Sequence, residues 1–113
     1  MAHYRIVSTP TTRTTVALGQ TFCRRAWRHA RKGDYRKAVL ALRELAAITG
    51  QAKNWVRLGD MLLRAQRNEE ALDALRQAMW LHRRIGSEGR ARTVARMILR
   101  VDPKDALATR FFA

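Results

Sequence analysis

Residues 54–81 read NWVRLGDMLLRAQRNEEALDALRQAMWL, and this stretch decides the fold. A polar break at 66–68 divides it into two segments, each with apolar residues at the spacing of one helical face. These apolar positions are Trp55, Leu58 and Leu62 before the break, and Ala71, Leu75 and Ala78 after it. Gly59 has no side chain, so a neighbouring helix can approach its backbone closely. The stretch therefore predicts two short amphipathic helices folded against each other.

A similar pattern precedes this stretch by 33 residues. The shift places four residues on their counterparts: Phe22 on Trp55, Ala26 on Gly59, Ala38 on Ala71, and Leu42 on Leu75. A helix over residues 16–31 buries Leu18, Phe22, Ala26 and Ala30, and a second helix over residues 35–48 buries Ala38, Val39, Leu42 and Leu45. Between them, Gly33 suits a left-handed helix end and Asp34 suits the next N-cap, while Gly50 ends the second helix. The sequence therefore predicts two helical hairpins of the same kind.

Both units resemble the tetratricopeptide repeat (TPR), whose signature is a Trp-x-x-Leu-Gly-x-x-Tyr run followed by an Ala-x-x-x-Phe pair, with a period of 34 residues. In residues 54–81, Leu62 replaces the tyrosine and Leu75 replaces the phenylalanine, both of which preserve an apolar contact. The resemblance implies an all-α fold, specifically a right-handed superhelix of helical hairpins, a TPR-like solenoid.

The last part of the chain resembles a degenerate third unit. Ala91, Ala95 and Ile98, with Gly86 before them and Pro103 after them, resemble the second helix of a repeat. The missing first helix then overlaps a long fourth helix that runs to Arg84. The expected organisation is a flexible basic N-terminal arm (1–15) and a TPR-like helical domain (16–113), with units at 19–51, 52–85 and 86–103 and a cap at 104–112.

The cap is expected to be a short helix that closes the end of the stack with Leu107, Phe111 and Phe112, as terminal units of solenoids require. If Phe111 and Phe112 are exposed instead, they form a patch for self-association or docking. The sequence leaves both interpretations open.

Charge is the least ordinary feature of the composition. The 113 residues carry a net charge of +14, with 19 Arg and 4 Lys against 9 acidic residues. Such a chain favours anionic partners: acidic protein surfaces, nucleic acid or anionic lipid. The alternative is that the arginines merely solvate helix faces. No apolar run reaches the length of a membrane span, and a lone cysteine, Cys23, fits a reducing compartment, so we expect a cytoplasmic protein.

No catalytic arrangement is apparent in the sequence. The two serines lack a neighbouring His–carboxylate pair, and the three histidines lack the spacing of metal ligands. Cys23 and His29 do not share a helical face. There is no glycine-rich phosphate loop. We therefore expect no enzyme activity, no metal and no cofactor.

The TPR resemblance implies a binding groove lined by the first helix of each unit. The corresponding residues are Gln20, Cys23, Trp27 and Arg31 in the first unit, and Lys53, Val56, Asp60, Leu63 and Arg64 in the second. Chaperone-binding members of the family hold a carboxylate with Lys and Asn residues, but the matching positions here are Cys23, Trp27 and Arg57, so that clamp is absent. The groove suits an acidic peptide, with Trp27 as an apolar anchor unless that ring belongs to the core.

Two exposed basic surfaces are also expected. Their residues are Arg24 and Arg28 on the first helix, and Arg92, Arg96 and Arg100, spaced by four, near the end of the chain. The sequence thus predicts a non-catalytic adaptor or scaffold whose basic groove binds an acidic protein or peptide. One alternative is a nucleic-acid-binding accessory protein that acts through these arginines. The other is a self-assembling structural subunit, a homo-oligomer formed through Phe111 and Phe112.

Overall fold

The computed structural model describes residues 12–112, which form helices and contain no strand. The helices are α1 (Thr12–Arg31), α2 (Tyr35–Thr49), α3 (Ala52–Arg64), α4 (Asn68–Arg84), α5 (Glu88–Val101) and α6 (Ala106–Thr109), and a 3₁₀ turn follows at Arg110–Phe112. The all-α prediction is confirmed.

Helix α1 begins four residues earlier than the sequence suggested. The expected arm covered residues 1–15; residues 1–11 lie outside the described part of the chain, whereas Thr12–Thr15 belong to α1. Thr15 is buried, and it borders the same surface groove as Lys53 of α3. Threonine has a low intrinsic helix propensity, but packing against a neighbouring helix overrides such preferences. The helical domain therefore extends beyond the predicted boundary at residue 16.

Both ends of α2 follow the expected capping pattern. The carboxylate of Asp34 accepts a hydrogen bond from the backbone N–H of Lys37 at 3.2 Å. Gly50 ends the helix in the left-handed conformation, with φ of 63°. An N-cap acceptor and a left-handed glycine satisfy backbone groups that the helix itself leaves unpaired.

Three turns share one backbone geometry. The residue after each turn donates its N–H to a carbonyl five residues earlier: Asp34 to His29 at 2.9 Å, Arg67 to Leu62 at 2.9 Å, and Ser87 to His82 at 2.8 Å. The residue before the donor has positive φ in every case, and these residues are Gly33, Gln66 and Gly86. The α1–α2, α3–α4 and α4–α5 connections are therefore equivalent tight turns.

The helices lie in two rows. Each helix packs mainly against the helices next to it in the chain. In addition, α1 and α3 line common grooves, as do α3 and α5. On the other side, α2 and α4 share a groove, and α4 is joined to the start of α6. The odd-numbered helices thus form one face of the molecule, here called the odd-helix face, and the even-numbered helices form the opposite one.

This arrangement differs from the expectation for α5. The sequence suggested that α5 resembles a second helix of a repeat, but the structure places it in the row of α1 and α3. Its buried residues Ala91, Val94, Ala95 and Ile98 have the same spacing as Trp55, Leu58, Gly59 and Leu62 of α3. The short α6 packs mainly against α5 and is joined to α4 by the ion pair between Arg76 and Asp105. The alanines of α5 suggested the second helix of a repeat. Small residues allow close packing in both rows, however, so they do not identify the row to which a helix belongs.

The core consists of two apolar clusters, one around α1, α2 and α3 and one around α4 and α5. Trp55 packs against both clusters and therefore bridges them. All six apolar positions quoted for α3 and α4 are buried or half-buried, as are the eight predicted for α1 and α2. The periodicity in the sequence therefore identified the core correctly.

An ion pair joins the C-terminal cap to α4. Arg76 donates to one oxygen of Asp105 through Nε, at 2.8 Å, and through Nη2. The same Asp105 caps α6 by accepting the backbone N–H of Ala108 at 3.0 Å, and its carboxylate is almost fully buried. Burial alone raises the pKa of the Asp105 carboxyl, but the hydrogen bonds from Arg76 and Ala108 outweigh burial and lower it. The charged carboxylate is thus part of the folded structure.

The two terminal phenylalanines have different environments. Phe111 packs against the second core cluster with the guanidinium of Arg83 at 5.5 Å from its ring centre. Phe112 remains 45% exposed, with Arg96 at 5.6 Å from its ring. Leu107 is also exposed. Of the three residues expected to close the stack, Phe111 is the one that contacts the core.

Candidate functional site

The two faces of the molecule carry different charge. Helices α1, α3 and α5 contain 12 Arg or Lys residues against 2 acidic residues, whereas α2 and α4 contain 6 against 4. Because the odd-numbered helices share one face, the excess positive charge is concentrated there. Fields of this kind attract anionic ligands. The odd-helix face is therefore the candidate binding surface.

A groove of about 220 Å³ lies between α1 and α3. Its lining consists of Cys23, Trp27, Leu42, Arg57, Asp60 and Met61. A neighbouring depression, closer to the start of α1, is lined in part by Gln20, Cys23, Lys53 and Arg57. These two cavities together form the α1–α3 groove.

Trp27 is the aromatic side chain of this groove. Its ring is 41% exposed, so it is not a core residue. The guanidinium of Arg64 lies over the ring, 4.8 Å from its centre, and also donates from Nε to Asp60 at 3.2 Å. These cation–π and ion-pair contacts favour the observed orientation of both side chains. Trp27 therefore presents an apolar surface that is already held in place.

A larger cavity, of about 550 Å³, lies between α3 and α5 above α4 and is called the α3–α5 pocket. Its lining residues are Lys53, Val56, Arg57, His82, Arg90, Thr93 and Val94. Three of the seven are cationic and none is acidic. Two valines provide apolar surface in the same cavity. The pocket thus combines positive charge with an aliphatic wall.

Arg57 connects the pocket to the groove, since its side chain borders both. It donates from Nη1 to Oδ1 of Asn54 at 2.8 Å. Asn54 is fully buried and donates from Nδ2 to the hydroxyl of Thr49 at 2.7 Å. A buried amide that is anchored on its other side holds the guanidinium in a defined position. Arg57 is therefore preorganised at the centre of the odd-helix face.

His82 lies at the floor of the α3–α5 pocket and is 9% exposed. Its Nδ1 atom is buried and has no hydrogen-bond partner among the described residues. Burial lowers the pKa of this imidazole, and the positive charge of Arg90 lowers it further. The ring is therefore neutral near pH 7.

The opposite face differs in having paired charges. Glu70 accepts hydrogen bonds from Arg67, at 2.9 and 2.8 Å, and from Arg43 at 3.0 Å. The hydrogen bonds from Arg67, together with that from Arg43, lower the pKa of the Glu70 carboxyl. By contrast, Lys53, Arg57 and Arg90 form no ion pair within residues 12–112. Within the described residues, Arg64 is the one cation of the odd-numbered helices that forms an ion pair, whereas half of the six cations of α2 and α4 do.

Most of the groove residues expected from the sequence come together. Those that line the α1–α3 groove or the α3–α5 pocket are Gln20, Cys23, Trp27, Lys53, Val56 and Asp60, and Arg64 covers Trp27. Leu63 instead packs partly buried against the first core cluster, and Arg31 is exposed but borders neither cavity. The structure adds Arg57, His82, Arg90, Thr93 and Val94. The sequence could have indicated Arg57, because this residue matches one of the clamp positions of the chaperone-binding members. The residues of α5 could be added only once α5 was placed in the row of α1 and α3.

The predicted basic residues form two separate surfaces. Arg24 and Arg28 lie exposed on α1, whereas Arg92, Arg96 and Arg100 lie exposed on α5, at the other end of the row. Arg92 also borders a polar cavity that includes Arg83, Arg110 and Phe111. None of the five forms an ion pair within the described residues.

Within residues 12–112, no group of His, Cys, Asp and Glu side chains is arranged to hold a metal ion. Nor does any described helix have the length and hydropathy needed to cross a membrane. The chain has no significant match among models of known protein families, among curated proteins or among solved structures.

Proposed function

We propose that this chain is a non-catalytic interaction protein of TPR-like architecture that binds an acidic segment of another protein on its odd-helix face. The main support is the uneven charge: within the described residues, one of the 12 cations of α1, α3 and α5 forms an ion pair, against three of the six cations of α2 and α4. The equivalent turns and the two rows of helices support a superhelix of hairpins. The expected cytoplasmic location fits such an adaptor.

The binding surface combines the features that recognise an acidic, partly apolar peptide. Trp27 supplies an exposed aromatic ring, and Arg57 supplies a positioned guanidinium. Aromatic and arginine side chains dominate the energetics of protein interfaces. Arg57 is also able to bind a carboxylate through two parallel hydrogen bonds.

A selection from random displayed peptides tests the proposal. Peptides retained by the wild-type chain should be enriched in Asp and Glu, and the variant Trp27→Ala with Arg57→Glu should lose them. The matched control is Leu40→Ala with Arg36→Glu, which changes an exposed apolar residue and a cation on α2. Retained peptides without acidic enrichment, or equal loss in the control, would refute the proposal.

A nucleic-acid-binding accessory protein is a second candidate. The observation in its favour is the exposed and unpaired row of Arg92, Arg96 and Arg100 on α5. Binding through phosphate contacts alone falls steeply as salt rises. A gel-shift assay with arbitrary DNA and RNA at near-physiological salt distinguishes the two candidates. Strong binding of nucleic acid by the wild-type chain, lost in the double variant Arg92→Gln with Arg96→Gln, would favour the nucleic-acid candidate.

Self-assembly through the C-terminal phenylalanines has less support, since Phe111 packs against the core. Phe112 is the exposed ring of the pair. Light scattering on the purified chain, with and without residues 110–113, tests this candidate. A monomer in both cases would exclude it.

A further inference from the structure

The α3–α5 pocket is more than a continuation of the α1–α3 groove. Its volume of about 550 Å³ exceeds the 220 Å³ of the cavity beside Trp27. It is bounded on three sides by α3, α4 and α5, so a ligand inside would contact three helices. A cavity of this size has room for a larger ligand than a single small ion.

The charges around the pocket lack a counterion among the described residues. Lys53, Arg57 and Arg90 border one cavity and none has an acidic partner. Like charges that share a cavity repel each other. An anion in the pocket removes this repulsion and gains hydrogen bonds from the guanidinium groups.

One N–H of Arg57 is used by Asn54, and this bond leaves other N–H groups of the guanidinium for a ligand. Asn54 is itself held by Thr49, so the arrangement does not depend on a flexible surface side chain. The positioning of Arg57 lowers the entropic cost of binding.

The floor of the pocket is neutral but polar. His82 is more than nine-tenths buried, and its Nδ1 atom lacks a partner among the described residues. The polar groups that share the pocket lining with this ring are the cations of Lys53, Arg57 and Arg90 and the hydroxyl of Thr93. A bound anion would offset these cations and therefore make protonation of His82 more favourable.

The apolar part of the lining is formed by Val56 of α3 and Val94 of α5. These side chains offer a surface to an aliphatic group, while the cations of the same cavity offer a site to a negative charge. A ligand that satisfies both must carry its charge close to a branched aliphatic side chain.

The geometry points to the α3–α5 pocket as a binding site for a peptide carboxylate that lies next to an aliphatic side chain, with Arg57 and Arg90 binding the carboxylate and Val56 and Val94 contacting the aliphatic group. This inference rests on the proposed function and identifies the anchoring part of the acidic partner. Two sources supply this chemistry: the free C-terminus of a protein that ends in an aliphatic residue, and an internal Asp or Glu beside such a residue.

Three short acetylated peptides distinguish these sources in a calorimetric titration. One ends in Leu with a free carboxylate, the second is amidated and has Glu beside Leu, and the third is amidated with Gln in place of Glu. We expect the neutral third peptide to bind at least about tenfold more weakly than the better of the other two, because hydrogen bonds to charged groups contribute roughly twice as much as neutral ones. Tighter binding of the first or second peptide identifies the source.

The variants Arg57→Gln and Arg90→Gln should each weaken the better peptide by about tenfold or more. Arg36→Gln on α2 removes the same charge outside the pocket and should leave binding unchanged. Arg90→Gln provides a test even if Arg57→Gln fails to fold, because Arg90 forms no hydrogen bond or ion pair within the described residues. In the wild-type chain, NMR should show the His82 pKa rising when peptide is bound.

Equal binding of the neutral peptide, or unchanged binding in both pocket variants, would overturn the inference. So would displacement of the peptide by inorganic phosphate at lower concentration than by acetate, which would indicate a phosphate site. If acidic peptides are lost with Trp27→Ala but not with the pocket variants, the proposed function stands and the pocket assignment fails. If no acidic peptide binds to the wild-type chain, both fail.

Discussion

Leu75 of α4 occupies the space that a side chain at Gly59 of α3 would need, and no other glycine in residues 12–112 has so little room. A Cβ atom built on Gly59 would lie 2.8 Å from Cδ2 and 2.9 Å from Cγ of Leu75, which is fully buried. The absence of a side chain at residue 59 therefore allows α3 and α4 to pack at their observed separation.

Replacing Gly59 by alanine should lower the free energy of unfolding by about 1–2 kcal/mol. Overpacking costs about 1–3 kcal/mol, and the better helix propensity of alanine returns up to about 1 kcal/mol. Urea unfolding followed by circular dichroism measures the change. Gly89→Ala on α5 is the matched control, because a Cβ atom at residue 89 would have no neighbour within 4 Å, and it should be neutral or stabilising. Equal losses in both variants would contradict the close contact.

Asp105 should contribute more to stability than Asp73, although both pair with Arg76. Asp105→Asn removes the buried partner of Arg76 and should lower the free energy of unfolding by about 2–3 kcal/mol. The loss should be smaller than for a fully buried ion pair, because the side chain of Arg76 is 28% exposed. Asp73→Asn should cost below about 1 kcal/mol, since that carboxylate is 78% exposed. Comparable losses in urea unfolding would contradict the distinction.

The Asp105 pair also predicts an acid-dependent loss of stability. The pKa of this carboxyl is lower in the folded chain than its unfolded value of about 3.9. Its contribution is therefore complete above about pH 5 and disappears as pH falls through the lowered folded pKa. Urea unfolding between about pH 3 and pH 7 should show a smaller pH dependence in Asp105→Asn than in the wild type. Identical profiles would contradict the prediction.

His82 should titrate below the usual value of about 6.5 for histidine, because burial and then Arg90 lower its pKa. The unfolded chain takes up the proton more readily, so this residue's contribution to stability falls as pH decreases from about 6.5 through the folded pKa. An NMR titration should show a higher His82 pKa in Arg90→Gln. Arg92→Gln removes a charge that does not line the pocket, and it should have little effect. An unchanged His82 pKa in Arg90→Gln would contradict the assignment.

Trp27 is exposed, whereas Trp55 is half-buried. Trp55→Ala should cost about 3 kcal/mol, since this ring packs against both core clusters. Trp27→Ala should cost about 1 kcal/mol, mainly the contact with Arg64, because the ring is 41% exposed. Thermal and urea unfolding measure both. A larger loss for Trp27→Ala would assign that ring to the core and withdraw it from the groove.

Much of the helical architecture was predictable from the sequence because it depends on local spacing. The buried positions of α2 follow from apolar periodicity, and its ends follow from Asp34 and Gly50, whose roles depend on neighbouring backbone groups. Gly59 was recognisable because it lies in the middle of an apolar helical face, where a glycine is otherwise unfavourable.

The remainder depends on contacts between distant parts of the chain. The start of α1 at Thr12 is set by packing, which overrides threonine's low helix propensity. Nothing in the local pattern around Ala91 and Ala95 distinguishes the two rows of helices. His82 belongs to a predicted helix, but its burial beside Arg90 is visible only when α5 is placed against α3 and α4.

Because each helix packs chiefly on its predecessor and successor, most of the packing joins neighbouring elements, and the entropy lost in closing loops stays small. Such a chain opens by fraying from its ends, and amide hydrogens should exchange sooner in α1 and α6 than in the middle. Helix α3 is packed on both sides and borders both cavities of the odd-helix face. The surface proposed to bind a ligand is therefore built on the segment that we expect to open last.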